Sequence, residues 1–404
     1  MTLPSTRTVT LGLLCAAWPV GLKAQEPMTR AQAVAAALAR GARAALGRAD
    51  TAAARGLARS ARAFPNPVLS TGYTKDAPQY HAILDLPLDL PWLRAPRIGA
   101  AESARAAARH GFAFERAAIR FEVDTTYTLT LSAQMHARLS RRTALDADSL
   151  LKVARLRRDA GDVSELDVRL AAVNAGQLEN VAVDDSLAAV DALLALQLQA
   201  GLAGDEPVIA LADSLVPPAE SLETPTGAAE PLPVAAAAAT LRSEERALAF
   251  AHRSIFAPSL EVGVEGGDPT GGTPGILPTI GLSFPLPLFN WNGGEVARAR
   301  AARDRARAEL DLVRRETSAA VARTRRELGA ARARLQRDAG LLASADRVAA
   351  MSLQAYAEGA VALANVLEAQ RNAREALGRY IDDLAAADVA AAAVRLLTAS
   401  PDEP

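Results

Sequence analysis

Aromatic residues make up only 4% of this 404-residue chain, although half of it is hydrophobic. A core built mainly from Ala, Leu and Val suits helices packed closely side by side, where small residues let backbones approach. The formal net charge is -1, without the basic surplus of a nucleic-acid binder, so no nucleic-acid partner is expected. The four histidines (His81, His110, His136, His252) form no pair at metal-ligand spacing, and no metal or other cofactor is expected. There is no Ser/His/Asp set and no phosphate loop, and Glu244-Glu245 and Asp382-Asp383 read as solvated helix charges. An enzyme is therefore not expected.

The only cysteine, Cys15, falls in the apolar run VTLGLLCAAWPVGL (9–22). With Arg7 before it and Ala24-Gln25 after it, this stretch reads as a secretory signal of residues 1–24. Leu22 is large for the position three before that cut, which leaves the cleavage point open. Leu13-Leu14 are not the small residues that lipidation of Cys15 would need. No other run reaches the roughly 18 apolar residues of a spanning helix. Any membrane crossing must therefore be made by strands.

What is present is written twice. FPNPVLSTGYT (64–74) and FAPSLEVGVEG (256–266) each follow an Ala-rich helical stretch, and each is followed by a second alternating run ending in proline: HAILDLPLDLPW (81–92) and PTIGLSFPLPLFNW (278–291). Pro87-Leu88 and Pro285-Leu286 lie 198 positions apart, and so do Gly161 and Gly359. Two unrelated motifs sharing one offset identify an internal duplication. The expected organisation is a first repeat at 25–202, a proline-punctuated connection at 203–233, a second repeat at 234–398 and a disordered tail at 399–404. The connection is a plain linker or holds a little local structure; its sequence fits both.

The strands have two chemically different faces. Leu260, Val262 and Val264 alternate with Glu261, Gly263 and Glu265; Ile280, Leu282 and Phe284 alternate with Thr279, Gly281 and Ser283; Ile83 and Asp85 oppose Leu84 and Leu86. Period two means one apolar and one polar sheet face. In lipid such a sheet must close, and bacterial barrels start at about eight strands. Four strands per chain therefore predict a barrel shared among several chains.

Between the strands and the glycines lie stretches of about 64 residues with no proline, roughly 95 Å of helix. Apolar residues at sevens (Phe114, Phe121, Met135; Val321, Leu328, Leu335, Leu342) predict a coiled-coil seam. The interleaved arginines and acids of 298–338 predict a solvated face with local ion pairs. After Gly161, Ser164-Glu165-Leu166-Asp167 has the Ser-x-x-Asp spacing of a helix start. A helix-ending glycine followed within a few residues by a new helix is a tight helical hairpin.

On PLPLFNWNGGEVARARA (285–301), YAEGAVALANVLEAQ (356–370) and AGDVSELDVRLA (160–171), the chain resembles the TolC-type outer-membrane factor family, in its metal- and drug-efflux branch. Both turns carry Gly-x5-(Asp/Asn)-Val, at Gly161/Asp167/Val168 and Gly359/Asn365/Val366. The resemblance implies a mainly α chain with a small β part. Long helical hairpins and two β-hairpins per chain would trimerise into a 12-stranded outer-membrane β-barrel and a periplasmic α-helical tunnel. It implies a passive exit duct for efflux or type I secretion, opened at its tip by a periplasmic adaptor that links it to an inner-membrane pump. It places Asn365 and Glu368 at the pore constriction, and Tyr356 and Asp167 in a closed-state tie from which Val361 removes an arginine partner. Gly161, Val163, Leu166, Gly359, Val361 and Leu363 would meet the adaptor, or else serve hairpin packing. The other function class that fits long coiled coils is a periplasmic scaffold or adaptor that spans no membrane; it would carry one helical hairpin and a β-rich domain, not a duplicated strand-hairpin unit.

Overall fold

The structure, a computed structural model, describes residues 26–76, 78–218, 230–266 and 275–399. The expected leader with Cys15, residues 219–229 of the connection, and 400–404 lie outside it. The chain runs β1 (Glu26–Met28), α1 (Arg30–Arg40), α2 (Ala42–Arg62), β2 (Val68–Tyr73), β3 (Tyr80–Pro87), α3 (Pro91–Asp159) and α4 (Glu165–Gln199). It continues with β4 (Ile209–Leu211), α5 (Leu232–Arg253), β5 (Ser259–Gly266), β6 (Leu277–Ser283), α6 (Gly293–Ala357) and α7 (Leu363–Thr398). The unit helix–hairpin–long helix–returning helix thus occurs twice.

α3 is one helix of 69 residues, about 100 Å long. Pro96 lies inside its first turns and cannot donate to the carbonyl of Trp92; Arg253 Nη1 reaches that carbonyl instead, at 3.5 Å. α5 is fixed alongside by Arg246, whose Nη1 donates to the Gly99 carbonyl at 2.8 Å and to Ser103 Oγ at 2.6 Å. In α6, Leu310, Thr317, Thr324 and Ala331 are buried at successive sevens, together with Leu328 and Leu335. The expected apolar seam is therefore only partly correct. Phe114, Phe121, Met135, Val321 and Leu342 are half-buried, while Thr and Ala hold much of the contact, with Thr324 Oγ1 donating back to the Ala320 carbonyl.

The arginines of α6 do form local pairs, Arg298 with Glu295, Arg305 with Glu309 and Arg323 with Glu327. Asp382 is the solvated helix charge expected, its side chain 69% exposed although its Oδ1 lies 2.9 Å from His136 Nε2. Asp383 corrects the expectation: its side chain is only 20% exposed, and its Oδ1 accepts from Arg334 Nε of α6 at 2.6 Å. Alternation and spacing show that a residue is on a helix, but not what the next helix places opposite it.

The strands form one antiparallel sheet in the order β2-β3-β5-β6. Its central pair, β3 and β5, joins the two repeats. Cross-strand register puts Leu69, Leu84, Val262 and Ile280 in one row and Leu86, Leu260 and Leu282 in the next, all on one face. The other face holds the row Val68, Asp85, Glu261 and Gly281, and the pair His81 and Glu265 at 3.6 Å. β6 ends at Ser283, so Phe284 lies just past the strand. At the middle of the rods β1 pairs in parallel with β4, Met28 opposite Leu211; the connection thus holds a strand of its own. Tyr127, fully buried beside this pair, donates its hydroxyl to the Met28 carbonyl at 2.9 Å.

Candidate functional site

The two ends of the long hairpins lie together, and each turns on a glycine. Gly161 has φ +84° and Gly359 φ +76°, left-handed values that cost a side-chain-bearing residue free energy. At the first turn Asp162 N–H donates to the Arg157 carbonyl and Gly161 N–H to that of Arg158; at the second, Ala360 N–H donates to Ala355 and Gly359 N–H to Tyr356. This paired closure satisfies the carbonyls that a helix end leaves free.

The helices that follow start differently. Ser164 caps α4 with a full capping box: its Oγ accepts from Asp167 N–H, and Asp167 Oδ2 accepts from Ser164 N–H at 3.1 Å. In α7 the equivalent N-cap is Ala362, which has no side-chain cap. The second tip is therefore held less firmly by its own sequence.

It is held by the first hairpin instead. Arg157 Nη1 donates to the Tyr356 carbonyl at 2.6 Å, and its guanidinium lies 4.8 Å from the centre of the Tyr356 ring. Tyr356 is 1% exposed and packs with Leu150, Leu151, Ala154, Val168, Leu363 and Val366. Burial pushes its phenol pKa up, opposed by Arg157 and helped by the Asp167 carboxylate. Its hydroxyl has no partner within the described residues, and it is not hydrogen-bonded to Asp167. Nothing in the sequence marked Arg157, whose repeat-mate is Ala355.

Of the other tip residues, Leu363 is 1% exposed and belongs to the tip core. Val361 packs against that core and Val163 is half-buried, while Gly161, Leu166, Gly359, Asn365 and Glu368 are exposed. Glu368 accepts from Arg371 Nη2 at 2.8 Å, so part of its charge is balanced within its own helix. Behind the tip a cavity of about 680 Å³ is lined by Arg142, Asp146, Asp346, Tyr356 and Arg374. Burial lowers the Arg374 pKa.

The sheet end has a second surface. Val262, Ile280 and Leu282 are exposed on the apolar face, and the chain beyond β6 carries Leu286, Leu288, Phe289 and Trp291 outward, Phe289 at 100% exposure. Phe64, Trp92 and Phe256 lie at the same end, and Tyr73 and Tyr80 pair at 5.4 Å at the other. Seven of the 16 aromatics of an aromatic-poor chain thus flank an apolar band, as in the girdles of outer-membrane barrels. The Asp89 side chain, 1% exposed, ties the first strand-to-helix junction through Arg94 and Arg97. Its repeat-mate is Pro287, and the second junction is held by Asn292, in the left-handed region, whose Nδ2 donates to the Ala251 carbonyl. No described helix is long and apolar enough to cross a membrane.

Residues 228–400 match the family model described as Outer membrane efflux protein. The chain is similar to the cobalt-zinc-cadmium resistance protein CzcC of Cupriavidus metallidurans, 28% identical over 253 residues that cover 62% of this chain. The match spans 60% of that relative's length. In fold it is similar to the outer membrane protein VceC of Vibrio cholerae, with a TM-score of 0.74 at 16% identity over 91% of this chain and 95% of the other. It is also similar to the CmeC outer membrane channel of Campylobacter jejuni, with a TM-score of 0.74 at 15% identity over 98% and 93%.

Proposed function

We propose that this chain belongs to the outer membrane efflux protein family, whose model its residues 228–400 match, and is one subunit of a homotrimeric exit duct. Its sheet would stand in the outer-membrane lipid and its helical hairpins in the periplasm. The observation that carries this reading is a four-stranded sheet with an exposed apolar face and no partner on β2 or β6 among the described residues. An unpaired edge is not tolerated in lipid, and three such sheets supply a closed ring of twelve strands. With β2 and β6 antiparallel within the chain's sequence of alternating strands, the ring closes without a parallel pair.

The tips would form the closed gate, with Asn365 and Glu368 at the constriction and Tyr356 and Asp167 near the closed-state contacts. A periplasmic adaptor would dock on Gly161, Val163, Leu166, Gly359 and Val361, with Leu363 supporting them from the core, and connect the duct to an inner-membrane pump. Adaptor binding at the tip would open the duct by favouring the state in which the second hairpin has swung away. The name of the CzcC relative makes divalent metal ions the first cargo to test. Membrane fractionation tests the whole reading: the expected result is an outer-membrane trimer dissociated by heat in SDS, and a soluble periplasmic monomer as the dominant form would overturn it.

A further inference from the structure

We infer that the seam between two copies of this chain repeats, residue for residue, the β3–β5 seam between its own two halves. This rests on the trimeric reading and adds the register and the face of each contact.

The two hairpins have equivalent registers. Val68 faces Asp85 in the first, and Ser259 faces Ser283 in the second. Val68 and Ser259 are 191 positions apart, the same separation as Arg62 and Arg253 at the ends of α2 and α5. Asp85 and Ser283 are 198 apart, the offset of Gly161 and Gly359. The change from 191 to 198 falls in the turn between the strands, so each strand maps onto its mate without ambiguity.

β3 pairs with β5 such that Asp85 faces Glu261, Leu86 faces Leu260 and Ile83 faces Gly263. Carried to the free edges, the same pairing sets Ser283 opposite the partner's Ser70, Phe284 opposite the partner's Leu69 and Gly281 opposite the partner's Gly72. The Leu88 N–H that donates to the Pro258 carbonyl at 3.0 Å becomes Leu286 donating to the partner's Pro67. Every transferred pair keeps its face: Leu69 shares the apolar face with Leu84, and Ser70 and Gly72 the polar one. An odd error in the mapping would have put lipid-facing side chains opposite lumen-facing ones.

A second check is global. The row Val68, Asp85, Glu261, Gly281 continues to the partner's Gly72, a stagger of four residues per chain. With about 3.4 Å per residue and about 4.8 Å between strands, twelve residues of stagger over twelve strands give a tilt of about 35°. That is within the roughly 35–45° of outer-membrane barrels. Of the nearest registers that preserve the faces, one gives about 20° and the other about 47°, just beyond the upper end.

Disulfide trapping in the full-length protein reads the register directly, because Cys15 is the only native cysteine. Ser70→Cys with Ser283→Cys should convert the chain to covalent dimers and trimers on oxidation, visible on non-reducing gels. Opposed residues lie within disulfide reach, whereas those shifted by two do not. Gly72→Cys with Ser283→Cys, and Ser70→Cys with Gly281→Cys, report the two shifted registers and should stay monomeric under denaturation; a Cβ at Gly72 meets nothing, and one at Gly281 only Glu261. Each single-cysteine variant controls for Cys15. Cross-linking by a shifted pair in preference to Ser70/Ser283 overturns the seam, as does no cross-linking in a protein that native mass measurement shows to be trimeric. In both cases the duct reading survives. A monomeric native protein overturns both.

Discussion

Arg157, near the end of α3, donates a hydrogen bond to the backbone carbonyl of Tyr356, 199 residues away, and stacks its guanidinium on the same tyrosine's ring. One side chain from the first hairpin therefore caps the end of the second. Charged hydrogen bonds are worth about 1.5–3 kcal/mol, and a cation–π contact adds about 0.5–1 kcal/mol. Because Arg157 is only half-buried, Arg157→Ala should loosen the second tip by about 2 kcal/mol. Amide exchange of residues 355–362 should accelerate and single-channel conductance should rise. Unchanged exchange there would show that packing around Tyr356 suffices without the arginine.

Ala362 occupies an N-cap with extended backbone, φ -76° and ψ 153°, close to the conformation of Ser164 at the first tip. Ala362→Ser should therefore supply the missing cap and stabilise the start of α7 by about 1 kcal/mol. The check is slower amide exchange at 363–365, accompanied by lower spontaneous channel opening. A variant that exchanges as fast as the parent would mean that the cap is not what distinguishes the two tips.

Glu368 and Arg371 make opposing predictions at the proposed constriction. Glu368→Ala should lower cation preference in planar-bilayer reversal potentials. Arg371→Ala should raise it, since the carboxylate loses the partner 2.8 Å away. Both groups are exposed and screened, so the shifts will be modest and larger at low salt. Identical selectivity in all three proteins would remove Glu368 from the pore.

The sheet faces can be told apart by one charge. Val262→Arg, on the apolar face, should cost about 2–4 kcal/mol per chain in a bilayer and reduce the yield of folded trimer. Thr279→Arg, on the polar face, should fold and shift selectivity toward anions. Equal folding yields would contradict the assignment of lipid and lumen faces.

Asp124 provides a pH test at the middle of the rods, where it is buried and meets Arg395 Nη2 at 3.4 Å. Burial raises its pKa against the opposing pull of Arg395 and Arg30. A carboxyl raised in the folded state contributes stability that is complete below its unfolded pKa and is lost as pH rises through the folded one. The melting-temperature advantage of the parent over Asp124→Asn should therefore shrink from pH 4 to pH 7. An advantage that grows with pH would show that the arginines outweigh burial.

Much of this molecule was legible in the sequence. Gly161 and Gly359 turn the chain because only glycine takes a left-handed backbone without strain; Ser164 and Asp167 cap a helix because their spacing matches the first turn; Leu260, Val262 and Val264 share a face because strand side chains alternate. Each of these is fixed by residues within a few positions of one another, and the duplication extends them to both halves. Tertiary structure alone decided that Arg157 meets Tyr356, that Asp382 and Asp383 lie against His136 and Arg334, that Thr317 and Thr324 sit in the seam, and that β1 finds β4. Those pairings join residues from about 50 to 250 positions apart, and they depend on how far one rod slides and rotates against the next. That placement is set by the summed packing of all the helices, which no local pattern encodes.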